Sequence, residues 1–156
     1  MSSDEAVREV LVLGVGNDLM RDDGVGTEVA RRLQAEDLGP EVEVIAGGVA
    51  GLDLIFDLEG RERAILVDAA HMGLAPGEVR VVRREEIEDR IVPLISLHEL
   101  ALHDVLELAE LTGVTAQVTL VAVEPLEVLP GLGLSAPVEA ALPEMIRLVK
   151  ELLEAQ

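Results

Sequence analysis

The chain has no cysteine, no tryptophan and no tyrosine, and its only aromatic residue is Phe56. Without cysteine there is no disulfide framework, no thiolate metal site and no cysteine nucleophile. With aromatics nearly absent, the core must be built from Leu, Val, Ile and Ala. No apolar run reaches about 18 residues, and no basic segment followed by an apolar one opens the chain, so neither a membrane helix nor a secretory leader is expected. A soluble, cytoplasmic protein is the expectation. Positive charge is also scarce: 12 Lys and Arg stand against 31 Asp and Glu, a formal net charge of −19. That balance argues against nucleic acid, whose phosphates would be repelled. It is compatible with cations, basic protein segments or a salt-rich cytoplasm, and a solvated acidic surface is its plainest account.

Apolar content is nevertheless high, at 49% of 156 residues, enough for one domain over residues 1–156 with a real core. Short apolar runs at Val7–Leu13, Val42–Ala46, Arg63–Val67 and Gln117–Val123 read as strands, the third ending at Asp68. Val79–Arg83 alternates charged and apolar residues, as an edge strand prefers. Helical spacing marks Gly24–Ala35, Leu52–Leu58, Glu99–Leu111 and Pro137–Leu153, with Pro143 either kinking the last helix or marking its true start. Strands alternating with helices predict an α/β fold with a mostly parallel sheet covered on both faces. There is no repeat, linker or low-complexity segment.

The most informative stretch is Val10-Leu-Val-Leu-Gly14-Val-Gly16-Asn17-Asp-Leu-Met-Arg-Asp22-Asp23-Gly24-Val-Gly26. A strand runs into a glycine turn and two adjacent acids, at the sheet edge where α/β proteins bind ligands. A dinucleotide site fits poorly. Leu19 stands where a third small residue is needed, strand two ends in Ala46-Gly47-Gly48 without an acid, and Asp22 and Asp23 would face the pyrophosphate. A metallopeptidase helix at His98-Glu-Leu-Ala-Leu-His103 also fails, because its histidines are five apart and diverge by roughly 140°. His103 is expected to be a surface or partly packed residue. His98, in a loop before the helix, remains free to be a ligand. Ser2, Ser3, Ser96 and Ser135 lack a nucleophile elbow.

A third constellation joins three strand ends: Asp23 after strand one, Asp68 at the end of strand three, and His98. Two carboxylates and an imidazole suit a divalent transition metal with open positions left over. Each acid also has a plainer reading, Asp68 as a cap and Asp23 as a helix-start acid.

The same residues resemble the [NiFe]-hydrogenase maturation endopeptidases. The resemblance runs from Leu13-Gly-Val-Gly-Asn17 and Asp22-Asp23-Gly24-Val-Gly26 through Gly47-Gly48-Val-Ala-Gly51, Leu66-Val-Asp68-Ala and Ser96-Leu-His98-Glu-Leu. It ends in Val121-Ala-Val-Glu124-Pro125 and Gly133-Leu-Ser-Ala-Pro-Val-Glu, so it spans nearly the whole chain in order. It implies a single three-layer α/β/α domain with a twisted, mostly parallel five-stranded sheet. It implies one cut, removing the C-terminal extension of a hydrogenase large-subunit precursor after nickel insertion, by an enzyme classed as aspartic-type. Asp23, Asp68 and His98 fall on the family's catalytic, metal-contacting positions, and Gly47 and Gly48 on a loop that helps place substrate. No family role is attached to His71, and Asp22 occupies a place not reliably acidic in relatives. The nickel would be supplied by the precursor, with no tightly bound metal of the enzyme's own required. The competing expectation is a metal- or partner-sensing module that performs no hydrolysis.

Overall fold

The computed structural model describes residues 8–47, 52–87, 92–93 and 101–155. In chain order the elements are β1 (Val10–Gly14), α1 (Val25–Gln34), β2 (Val42–Ala46), α2 (Asp53–Leu58), β3 (Arg63–His71), β4 (Val79–Arg83), β5 (Val92–Pro93), α3 (Leu102–Leu111), β6 (Gln117–Val123) and α4 (Ala136–Glu154). Five strands lie side by side in the order β2-β1-β3-β6-β4, and β5 adds two residues against the end of β3. The pairs β1·β2, β1·β3 and β3·β6 are parallel, whereas β4 returns antiparallel to β6. The sheet is open and mixed, with its parallel part at the centre.

That arrangement follows from the residue pattern. All five residues of β1 are buried, as are Ala64 to Ala70 of β3, because a central parallel strand is covered on both faces. Side chains alternate between two cores. Leu11, Leu13, Leu66 and Leu120 pack with Leu54 and Leu58 of α2 and Val105 and Leu106 of α3. Val12, Ile65, Val67 and Val121 pack with Val29 and Leu33 of α1 and Leu142, Met145 and Val149 of α4. Helices therefore cover both faces, as the expected three-layer fold requires.

β2, β4 and β6 lie where the sequence pattern puts them, and β4 is an edge strand. Three expectations are corrected. β1 begins at Val10 and includes Gly14. β3 does not stop at Asp68 but runs to His71, because Ala70 and His71 pair antiparallel with β5. Pro143 marks no helix start: α4 begins at Ala136, after Ser135, and runs through it. Pro143 faces solvent, so the carbonyl of Glu139, which loses its helical donor there, stays within reach of water.

Candidate active site at the carboxyl edge of the sheet

The carboxyl ends of β1 and β3 are drawn together by glycine. The N–H of Val15 donates to Val67 O at 3.0 Å, which keeps the chain beside β3 as it leaves β1. A Cβ on Gly14 would lie 2.0 Å from Gly26 O, and one on Gly26 would lie 2.1 Å from Val67 O. The first turn of α1 can thus rest directly on β1 and β3 only because both positions lack a side chain. Gly16 adopts φ +134, and a Cβ there would meet Asp23 O at 1.7 Å. This contact folds the loop back on itself and seats the acids. Residues Arg21–Gly24 form one 3-10 turn leading into α1.

Asp22 and Asp23 diverge from that turn into different surroundings. Asp22 is fully buried. Its Oδ2 accepts the N–H groups of Leu126 and Glu127, both at 2.8 Å, and the Ser135 hydroxyl at 2.7 Å, while Oδ1 accepts Ser135 N–H at 2.8 Å. Burial by itself would raise its pKa, but the hydrogen bonds from Glu127, Ser135 and Leu126 outweigh it and hold the carboxyl below its ordinary value. Asp22 is a structural clasp between the first loop and the segment joining β6 to α4.

Asp23 is 8% exposed, and its Oδ2 accepts Asn17 N–H at 3.1 Å. Its Oδ1 is buried and accepts no hydrogen bond among the described residues. Burial pushes this carboxyl above the usual range, and the single Asn17 bond opposes it only in part. A buried carboxylate oxygen lacking a donor is costly unless a cation or a proton meets it.

Asp68 is also fully buried, one residue beyond Val67, whose carbonyl meets both Val15 and Gly26. Its neighbours two positions away, Leu66 and Ala70, belong to the core under α2 and α3, so strand alternation directs Asp68 toward that face. It is an interior strand residue. Beyond it, Glu124 Oε1 accepts the N–H groups of Met72 at 2.8 Å and Leu74 at 3.1 Å and fixes the exit from β3. His71 is largely exposed, with Nδ1 3.7 Å from Glu124 Oε2.

Of the residues singled out from sequence, Asp23 lies in the turn that follows β1, Asp68 lies within the adjacent strand β3, and Gly47 follows β2. Gly47 N–H donates to Gly14 O at 3.1 Å, with φ +122. His98 and Gly48 lie outside the described residues. Among the described residues no three His, Asp or Glu side chains gather as a metal cage. His103 is partly packed, beside Arg84 at 3.2 Å and Glu107 at 3.1 Å, as a histidine on an amphipathic helix should be. The pattern did not reveal the clasp of Asp22 on Ser135 or the role of Glu124. The one signal available was a charged pair in an otherwise apolar stretch.

The family model for hydrogenase maturation proteases matches residues 27–152. The chain is 38% identical over 134 residues to the hydrogenase 2 maturation protease of Escherichia coli K12, covering 84% of this chain and 82% of that protein. It is 32% identical over 150 residues to the hydrogenase expression/formation protein HupD of Rhizobium leguminosarum bv. viciae, covering 94% and 74%. The structure of the hydrogenase maturating endopeptidase HybD from E. coli superposes with a TM-score of 0.78 at 34% identity, over 90% of this chain and 88% of that one. With this sheet order, these glycine contacts and these relatives, the chain belongs to the hydrogenase maturation protease family and is a hydrogenase maturation endopeptidase.

Proposed function

We propose that this endopeptidase removes the C-terminal extension of a [NiFe]-hydrogenase large-subunit precursor after nickel has been inserted, and that Asp23, Asp68 and His98 contact that nickel. The observation that carries the reading is the buried Oδ1 of Asp23, which accepts no hydrogen bond among the described residues and lies in the turn that follows β1, the strand paired with the one that bears Asp68. Two carboxylates, one from the turn after β1 and one from β3, with an imidazole as third donor, match the demands of a divalent transition ion that keeps open positions. The ion arrives with the substrate, so its binding energy is available only to a loaded precursor, and metal insertion licenses the cut. Asn17 holds Asp23 by one oxygen and leaves the other for the ion. Gly47 and Gly48 help place the precursor chain across the edge of β2. Hydrolysis then needs a water activated by a carboxylate of this pair or by the substrate's nickel; the former is the aspartic-type chemistry the resemblance implies. No helix among the described residues is long and apolar enough to cross a membrane.

The test is to incubate Asp23→Ala, Asp68→Ala and His98→Ala with nickel-loaded and nickel-free precursor and to follow the large-subunit mass. Each variant is expected to lose processing by about a hundredfold or more, and nickel-free precursor is expected to stay intact even with the unsubstituted enzyme. Full processing by all three variants would refute the site. Equal cleavage with and without nickel would refute the gating.

A further inference from the structure

The large apolar side chains left outside the two cores concentrate beside Asp23. Leu19 is 64% exposed, Leu126 53%, Leu129 49% and Leu132 76%. They sit on two segments, residues 17–21 and 125–133, that hydrogen-bond to each other. Gly131 N–H donates to Leu19 O at 2.9 Å, Arg21 N–H to Gly131 O at 3.1 Å, and Asp22 N–H to Glu127 O at 3.0 Å. The buried Asp22 carboxylate closes the assembly from beneath through Leu126, Glu127 and Ser135. The result is one continuous lip, and Asp23 N–H donates to Met20 O at 3.2 Å within it.

Turn geometry does not call for these leucines. Pro130, Gly131 and Gly133 supply the bends, and polar side chains would be better solvated at the intervening positions. Among the described residues the other exposed large apolar side chains are Leu52 and Phe56 at α2 and Leu108 and Leu111 of α3, two at each helix, against five on the lip once Val128 is included. Two carboxylates at its rim are already engaged, Asp18 by Arg31 and Glu127 by Arg21, so the lip is locally close to neutral.

We infer that this lip is the docking surface for the folded body of the large-subunit precursor, which meets it with an apolar patch rimmed by basic residues, and that Asp22 is the positioning residue holding the lip in shape. The inference rests on the function proposed above. A protein whose chain reaches Asp23 must cover Leu19, four residues earlier and hydrogen-bonded into the same turn. The apolar side chains supply the contact, and the net charge of −19 favours encounter with a basic rim.

The experiment uses the full-length triple variant Leu19→Ala, Leu129→Ala, Leu132→Ala. The control is Leu111→Ala, which alters an exposed leucine at the end of α3, on the opposite edge of the sheet, where β6 begins. The probes are the purified [NiFe]-hydrogenase large-subunit precursors of the source organism, loaded with nickel or free of it. For loaded precursor the triple variant is expected to raise KM roughly tenfold with kcat unchanged, the signature of lost uniform binding. For nickel-free precursor, where no cut intervenes, it is expected to weaken Kd by a similar factor, while Leu111→Ala changes neither. Thermal unfolding of the triple variant should match that of the unsubstituted protein. Unchanged KM and Kd in the triple variant would overturn the docking surface. Binding that depends on the lip without any cleavage would sink the hydrolytic reading and leave the surface standing. Failure of the unsubstituted protein to bind either precursor would overturn both.

Discussion

Asp22 and Asp23 are joined by one peptide bond and have opposite tasks. Four donors surround the first and none reaches Oδ1 of the second among the described residues. Replacing Asp22 by Ala would leave the N–H groups of Leu126, Glu127 and Ser135 without their acceptor. Urea unfolding should then show a loss of about 3 kcal/mol; a loss within measurement error would refute the clasp. Asp57 offers a test of the opposite sign. Burial raises its pKa, Arg61 opposes the shift, and Asp53 and Glu43 add to it. A carboxyl whose folded pKa is raised contributes stability at acid pH that is lost as pH rises through that pKa. Asp57→Asn should therefore raise Tm at pH 7 relative to the unsubstituted protein, and the gain should vanish below about pH 3. A gain that persists unchanged in acid would contradict this reading. No residue pattern in the chain separates the two acids of the pair. Their difference comes from Ser135, more than a hundred positions away.

At the scale of elements, the decisive contact is α1 resting on β1 and β3 through Gly14 and Gly26. A methyl group on Gly26 would collide with the Val67 and Val15 carbonyls, both backbone atoms that cannot step aside without moving the strands. Gly26→Ala should cost about 3 kcal/mol and displace Asp23 relative to Asp68. Both effects are checkable, by calorimetry and by a fall in precursor cleavage, and full stability with full cleavage would contradict the packing argument. Strand boundaries were legible where an apolar run stops on its own, as in β2, β4 and β6. They were not legible where a partner from elsewhere prolongs the strand: β5 pairs with Ala70 and His71 and carries β3 past Asp68. The 3-10 turn before α1 was hidden likewise, because helical spacing alone does not reveal that the Arg21 N–H is taken by Gly131.

For the whole molecule, an excess of 19 negative charges on 156 residues means self-repulsion in the folded state. Screening should relieve it, so raising sodium chloride from about 10 mM to about 0.5 M should raise Tm by about 5 °C. A flat salt response would show that the charges are already paired. Fold class was legible from the alternation of strand-like and helix-like runs, because burial on both faces of a parallel sheet requires near-continuous apolar strands. Asp23 and Asp68 could be picked out as acids beside apolar runs, because such acids are located by position alone, although β3 carries on past Asp68. What the chain determined by itself is which residues are apolar, which runs form strands, and which acids lie beside them. Only the tertiary structure decided which acid is saturated, which keeps an oxygen without a donor among the described residues, and which leucines stay in water beside it. Hydrogen-bond partners and exposed neighbours come from segments distant in sequence, and their convergence depends on sheet order and helix packing rather than on local pattern.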